Sequence, residues 1–184
     1  FDRANLKLKE SVQMEEIGTG RLIAELISNS LDEESVGIIK VRITKHGELV
    51  HVTVNDDGDG FRDVEEIWTL FADSCKRTDP TKRGRFNLGE KQFLISCEDA
   101  YIKTGDHHVI VRGAEKEVKR LSKKFEGVEV FGRIRESVQS RDEVLKFLER
   151  IAVPDGKKLY INDTEIESTP IVKSFKAKLK TPVA

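Results

Sequence analysis

Hydrophobic positions recur along this chain with two different periods. From Arg21 to Asp32 they follow a helical spacing, with Ile23, Leu26 and Ile27 on one side, which predicts a helix. From Ile38 to Thr44 they alternate, with Ile39, Val41 and Ile43 on one face and Lys40, Arg42 and Thr44 on the other. That is the signature of a half-buried strand. Leu49 to Val54 alternates again through Val50, Val52 and Val54, and the turn His46-Gly47-Glu48 makes the two strands a hairpin.

Before the helix that starts at Arg21, Leu6 to Ile17 is mixed and is expected to include a short helix, which Gly18-Thr19-Gly20 breaks. Beyond the hairpin, Asp63 to Phe71 reads as a helix through Val64, Ile67, Trp68 and Phe71. Residues 72–87 are polar and basic, are interrupted by Pro80 and Gly84, and read as a long loop. Loops of that length inside a compact domain are usually functional or disordered. A second buried helix is expected at Leu88–Cys97. Strands are expected at Ala100–Lys103, His108–Arg112 and Val128–Ile134. Ser140 to Ile151 is amphipathic, with Val144, Leu145, Leu148 and Ile151 inward. Lys158–Ile161 and Glu165-Ile166 suggest a last hairpin around Asn162-Asp163, and Phe175, Ala177 and Leu179 alternate near the end. The elements mix without a regular βαβ rhythm. This favours an α+β fold, a two-layer α/β sandwich with helices on one face of a mostly antiparallel mixed sheet.

Composition narrows the picture. The 184 residues suit one domain spanning 1–184, and 38% hydrophobic content is enough to bury a core. The 32 basic and 33 acidic residues nearly cancel, so there is no global pull toward nucleic acid or an anionic membrane. No apolar run reaches the ~18 residues of a membrane span, and no secretory leader is expected. Cys75 and Cys97 make no disulfide framework or zinc spacing, which favours a reducing, cytoplasmic setting. Adjacent His107 and His108 on a strand point to opposite faces and make a poor chelate.

Candidate chemistry lies in three places. At 100° per residue, Glu25, Asn29 and Asp32 fall within about 60° of one another on the first helix. From Glu25 to Asp32 the stripe itself contains no Lys or Arg, unlike an ordinary solvated face. An amide oxygen at Asn29 suits Mg²⁺, which keeps most of its waters. Glu25, one turn earlier, is placed to orient and deprotonate an attacking water. Next, Asp56 shares the parity of Val50, Val52 and Val54, so a continued strand would aim it between sheet and helices. A carboxylate there needs partners, and a ligand N–H such as an adenine amine would serve. Gly58 and Gly60 would let the backbone approach such a ligand. The run is not an EF-hand loop, because its twelfth position is Ile67 where a Glu is required. Third, Lys82 to Lys91 runs from a glycine-bearing basic loop into a helix, a setting that suits phosphate or a plain basic surface loop.

In this order the three elements resemble the GHKL, or Bergerat, ATP-binding superfamily of gyrase B, ninety-kilodalton heat-shock chaperones, histidine kinases and MutL. ELISNSLD, from Glu25 to Asp32, resembles the E-x-x-x-N motif, and its NSLD wording is closest to MutL. Asp56 to Gly60 resembles D-x-G-x-G, and Gly84-Arg-Phe-Asn-Leu-Gly89 resembles the phosphate-lid motif. Ser74 and Lys76 sit where MutL- and MORC-like members carry S-x-K. The match covers about residues 15–135, with the helix and hairpin of 140–184 as an extension of the same domain.

The resemblance implies Mg²⁺-dependent ATP binding and slow hydrolysis, with Glu25 as general base and Asn29 holding Mg²⁺. It places Asp32 along the nucleotide pocket, Asp56 at the adenine amine, and Gly58 and Gly60 around the base. Gly84, Arg85, Phe86, Asn87, Leu88 and Gly89 would wrap the phosphates, with Lys91 a phosphate contact. Two positions depart from the pattern. Asn87 replaces a lid glycine, and Val128 stands where the family often has an adenine-side threonine. The implied partners are ATP and ADP and a nucleotide-dependent homodimer within a larger machine. Lys76, Arg77, Lys82, Arg83 and Arg85 suit phosphate and nucleic acid equally. The alternatives are a histidine-kinase-like phosphotransfer domain and a nucleotide-sensing or interaction module that does not hydrolyse.

Overall fold

A computed structural model describes residues 18–61, 89–113, 115–135 and 140–167. In chain order the elements are α1 (Thr19–Asp32), β1 (Ile38–His46), β2 (Leu49–Asp56), α2 (Gly89–Ser96), β3 (Asp99–Arg112), β4 (Glu115–Arg135), α3 (Arg141–Leu148), β5 (Lys158–Ile161) and β6 (Thr164–Ile166). The expected helix at 63–71, the mixed segment before Gly18 and the alternation near Phe175 lie outside the described residues.

Among the described residues, six strands form one sheet in the order β3-β4-β2-β1-β5-β6. All neighbouring pairs are antiparallel except β1 with β5, so the sheet is mixed and mostly antiparallel, as expected. The alternation seen in β1 and β2 is the burial pattern of the sheet. Ile39, Val41, Ile43, Val50, Val52 and Val54 are all buried, and they pair in register across the hairpin. Val130, Ile134, Ala100 and Ile102 continue that face into β4 and β3. α1 packs on α2, α3, β1 and β2 over this face, burying Leu22, Ile23, Leu26, Ile27 and Leu31. The fold is α+β, with the helices on one side.

The other face is half-exposed and carries its own order. Tyr101 stacks on Phe131 at 4.9 Å, and His51 meets Phe131 edge-on. Lys103 pairs with Glu129 at 2.8 Å, and Arg133 pairs with Asp99.

Several boundaries differ from expectation. α1 begins at Thr19, so only Gly18 of the Gly-Thr-Gly break lies outside the helix, where it is the N-cap. The two expected strands at 100–103 and 108–112 are one strand, β3, with its irregularity around Gly105. β4 extends back from Val128 to Glu115, which no alternation announced. Residues 115–126 pair with β3 alone and are mostly exposed on both faces, so there was no buried side to print a period-two pattern. α3 is shorter than expected, with Ser140 as its N-cap and its end at Leu148. The Ser140 hydroxyl accepts from the Glu143 N–H while the Glu143 carboxylate accepts from the Ser140 N–H, a complete capping box. Ile151 lies beyond the helix.

Candidate functional site

The site begins with α1 and the end of β2. Ile23, Leu26, Ile27 and Ser30 follow the i, i+3, i+4, i+7 spacing of a buried helix face. Ser30 is therefore a polar residue in an apolar position, and it is 7% exposed. Its hydroxyl donates to Asp56 Oδ2 at 2.7 Å. The stripe of Glu25, Asn29 and Asp32 runs alongside and is half-buried, as the helical angles predict.

Asp56 is the last residue of β2, with the parity of the three buried valines before it. It is 6% exposed, so its carboxylate does point between the layers. Its Oδ1 accepts from the Gly58 N–H at 3.1 Å and the Val128 N–H at 3.2 Å. Burial therefore does not by itself demand a ligand, in contrast to the sequence argument. Three protein donors already serve the carboxylate, and a carboxylate offers about four acceptor positions. The fourth, on Oδ2, is what remains for a further donor. Burial raises the Asp56 pKa above its ordinary 3.8, against the pull of the Ser30, Gly58 and Val128 bonds. The neighbouring Asp57 charge adds to the rise.

The loop after Asp56 is held from outside at Asp57, Asp59 and Phe61. Asp57 Oδ1 accepts from the Gly37 and Ile38 N–H groups, both at 2.8 Å. The Asp59 N–H donates to Ser35 Oγ at 3.1 Å, and the Phe61 N–H to Thr104 Oγ1 at 3.0 Å. The two glycines answer to this packing. A Cβ on Gly58 would meet Val36 Cγ2 at 2.6 Å. Gly60 has φ +86°, and a Cβ there would sit 2.5 Å from Thr104 Oγ1. The expectation from sequence placed these glycines around a ligand; packing against Val36 and Thr104 is a further reason for them.

Gly127 is the third glycine of the group. It has φ +80°, and any Cβ there would overlap the Asp56 carbonyl. Register places Asp56 opposite Val128 and Val128 opposite Thr104, so one row crosses β2, β4 and β3 beneath the loop. Thr104 is 2% exposed.

The helix α2 packs beside α1. Gly89 is the first residue of α2, and Lys91 is 3% exposed within it. A buried ammonium needs electron-rich partners, so Lys91 belongs to the interior and not to a basic surface loop. Gly84, Arg85, Phe86, Asn87 and Leu88 lie outside the described residues, as do Ser74, Lys76, Arg77, Lys82 and Arg83. Among the described residues there is no group of three His, Cys, Asp or Glu side chains able to hold a metal ion.

Residues 14–127 match the family model described as histidine kinase-, DNA gyrase B-, and HSP90-like ATPase. The chain belongs to this family. Its three motifs, as far as the structure describes them, fall within the matched span. No curated protein matches the chain. Among solved structures it resembles the ATPase and transducer domains of DNA topoisomerase II from Balamuthia mandrillaris, with a TM-score of 0.61 at 16% identity. That match covers 81% of this chain and 48% of the other. The ATPase region of Saccharomyces cerevisiae topoisomerase II bound to ICRF-187 (dexrazoxane) gives 0.58 at 13% identity, covering 80% and 48%. The ATPase region of the same yeast enzyme in a further crystal structure gives 0.57 at 15% identity, with the same coverages. At these identities the likeness shows the fold, and the chain spans about half the length of the topoisomerase II structures. In the frame of this ATPase family, sequence reasoning missed Ser30, Ser35 and Thr104. Only Ser30 left a signal, as a lone hydroxyl on an apolar helix face. No helix among the described residues is long and apolar enough to cross a membrane.

Proposed function

We propose that this domain binds ATP with Mg²⁺ and hydrolyses it slowly. The observation that carries the reading is Asp56, a buried carboxylate with one acceptor position left, beside the polar stripe of α1. An adenine amine is the donor that fits that position, and Gly58 and Gly60 keep the loop close enough to enclose a base. Asp32 lines the same pocket. At the far end Asn29 and Glu25 lie one helical turn apart on the half-buried stripe, which suits a metal held by few protein atoms. Bound Mg²⁺ would neutralise charge on the phosphates. Glu25 orients the attacking water and takes its proton, while Lys91 and the lid of Gly84 to Gly89 offset the charge that develops.

Lid closure, a nucleotide-dependent dimer, a DNA setting and a cytoplasmic location extend this reading. The support for DNA is the NSLD wording and the topoisomerase II likeness. A binding module without turnover is the second reading, and Val128 favours it, since it stands where the family often has an adenine-side threonine. A single-turnover assay with γ-labelled ATP separates the two. Phosphate released by the wild type, and lost in Glu25→Ala while ATP still binds, supports hydrolysis. Binding with no release supports the second reading, and label on a partner histidine would support phosphotransfer instead.

A further inference from the structure

We infer that Lys157 is a positioning residue for the nucleotide site, tying the start of β5 to both motif-bearing segments; this rests on the nucleotide reading above. At its C-terminus α1 is closed by a backbone bond, from the Glu33 N–H to the Ser30 carbonyl at 3.3 Å. It has no basic residue in its last turn, and its C-cap Glu33 has already turned to an extended conformation. The last carbonyls of a helix need donors, and a cation there is favoured by the helix dipole. The cation comes from 124 residues away. Lys157 Nζ donates to the Glu33 carbonyl at 2.5 Å and to the Val36 carbonyl at 3.0 Å.

The same six-residue link, 33–38, is gripped from its other side by the glycine loop. Asp57 accepts the Gly37 and Ile38 N–H groups, and Ser35 accepts from Asp59. Slight burial works against ionisation of Asp57, but the Ile38 and Gly37 N–H groups and the Lys157 charge outweigh it and hold its pKa below the usual value. Lys157 and Asp57 thus clamp one short link between them. Asp57 adjoins Asp56, and Asp32 and Asn29 lie in the last turn of the helix that Lys157 caps. The backbone of Lys157 is itself fixed. Its N–H closes a turn onto the Pro154 carbonyl, and the next N–H, of Lys158, donates to Gly37. Lys158 also pairs with Ile38 where β5 joins β1.

The clamp links strand β5 to the place where a base would sit. Removing the charge should let the link relax and the Asp56 loop lose its fixed position. Keeping a charge at similar reach should not.

The test is calorimetric titration of ATP with Mg²⁺, and separately of adenosine, into the full chain carrying K157M or K157R. Melting temperatures are measured alongside. The expected result is about tenfold weaker ATP binding in K157M, the scale of a charged donor at a helix end. Adenosine should weaken in parallel, since the clamp acts on the base end, and K157R should return to within about twofold of wild type. Wild-type binding with K157M unchanged would overturn the inference. So would a loss in K157M that K157R fails to recover. If K157M does not fold, Asp57→Asn decides, because it grips the same link; weaker binding supports the clamp and unchanged binding overturns it. A wild-type chain that binds no ATP would overturn the nucleotide reading and this one with it.

Discussion

The two ends of the candidate site are built differently. At the base end the loop is held by many hydrogen bonds. Asp56 takes three donors, and Asp57, Asp59 and Phe61 are each bonded to a segment outside the loop. At the phosphate end Glu25 and Asn29 stand half-buried on α1, with no hydrogen bond to their side chains among the described residues. One end is preorganised and the other is open. Preorganised donors and acceptors favour affinity and selectivity, because little ordering remains to be done on binding. An open carboxylate and amide are suited to ligands that arrive with the substrate. Recognition and turnover should therefore separate cleanly under mutation.

The sharpest break between the ends is Glu25→Ala. Loss of a general base costs about 10²- to 10⁴-fold in rate, and single-turnover hydrolysis should show it with ATP affinity held near wild type. A parallel fall in affinity would mean that the two ends are not separate. Next in size is Asp56→Asn, which exchanges an acceptor-only group for one that also donates. Calorimetry should show ATP affinity weaker by about 1.5–3 kcal/mol, the scale of a hydrogen bond to a charged group.

Acidity probes the same end without mutation. The Asp56 pKa is raised, chiefly by burial, so the folded carboxyl takes up its proton above pH 3.8. The folded chain then holds more protons than the unfolded one in that window. Its stability contribution is present below the ordinary carboxyl value and is lost as pH rises through the raised one. ATP affinity should run the other way, because the amine bonds to the ionised form. Affinity should fall as pH drops through the raised value, and Asp56→Asn should flatten that limb of the profile.

The smallest effect lies away from both ends. Ser140→Ala removes the α3 capping box and should cost about 1 kcal/mol of stability in denaturant melts. ATP affinity should not change, since α3 touches neither Asp56 nor the α1 stripe through any hydrogen bond of its cap.

What could be read from the chain follows from what was buried. The β1–β2 hairpin was legible because one face is core and the other is not, from Ile39 to Val54. The outer half of β4 was not, because residues such as Lys119 and Arg120 are exposed and pair only with β3. Within the site, the direction of Asp56 followed from parity alone. The packing reason for Gly58 and Gly60 did not, because Val36 and Thr104 reach them through tertiary contacts. Lys157 had no local sign at all; its partners belong to a helix end 124 residues earlier.

The central claim is that the last acceptor position of Asp56 receives the amine of adenine. Titrating wild-type protein with ATP and with inosine triphosphate, which carries a carbonyl where adenine has its amine, tests it most directly. The account predicts clear ATP binding and an inosine nucleotide weaker by tenfold or more, about the value of one charge-assisted bond, with the difference erased in Asp56→Asn. Equal affinity for the two nucleotides in the wild type would contradict it.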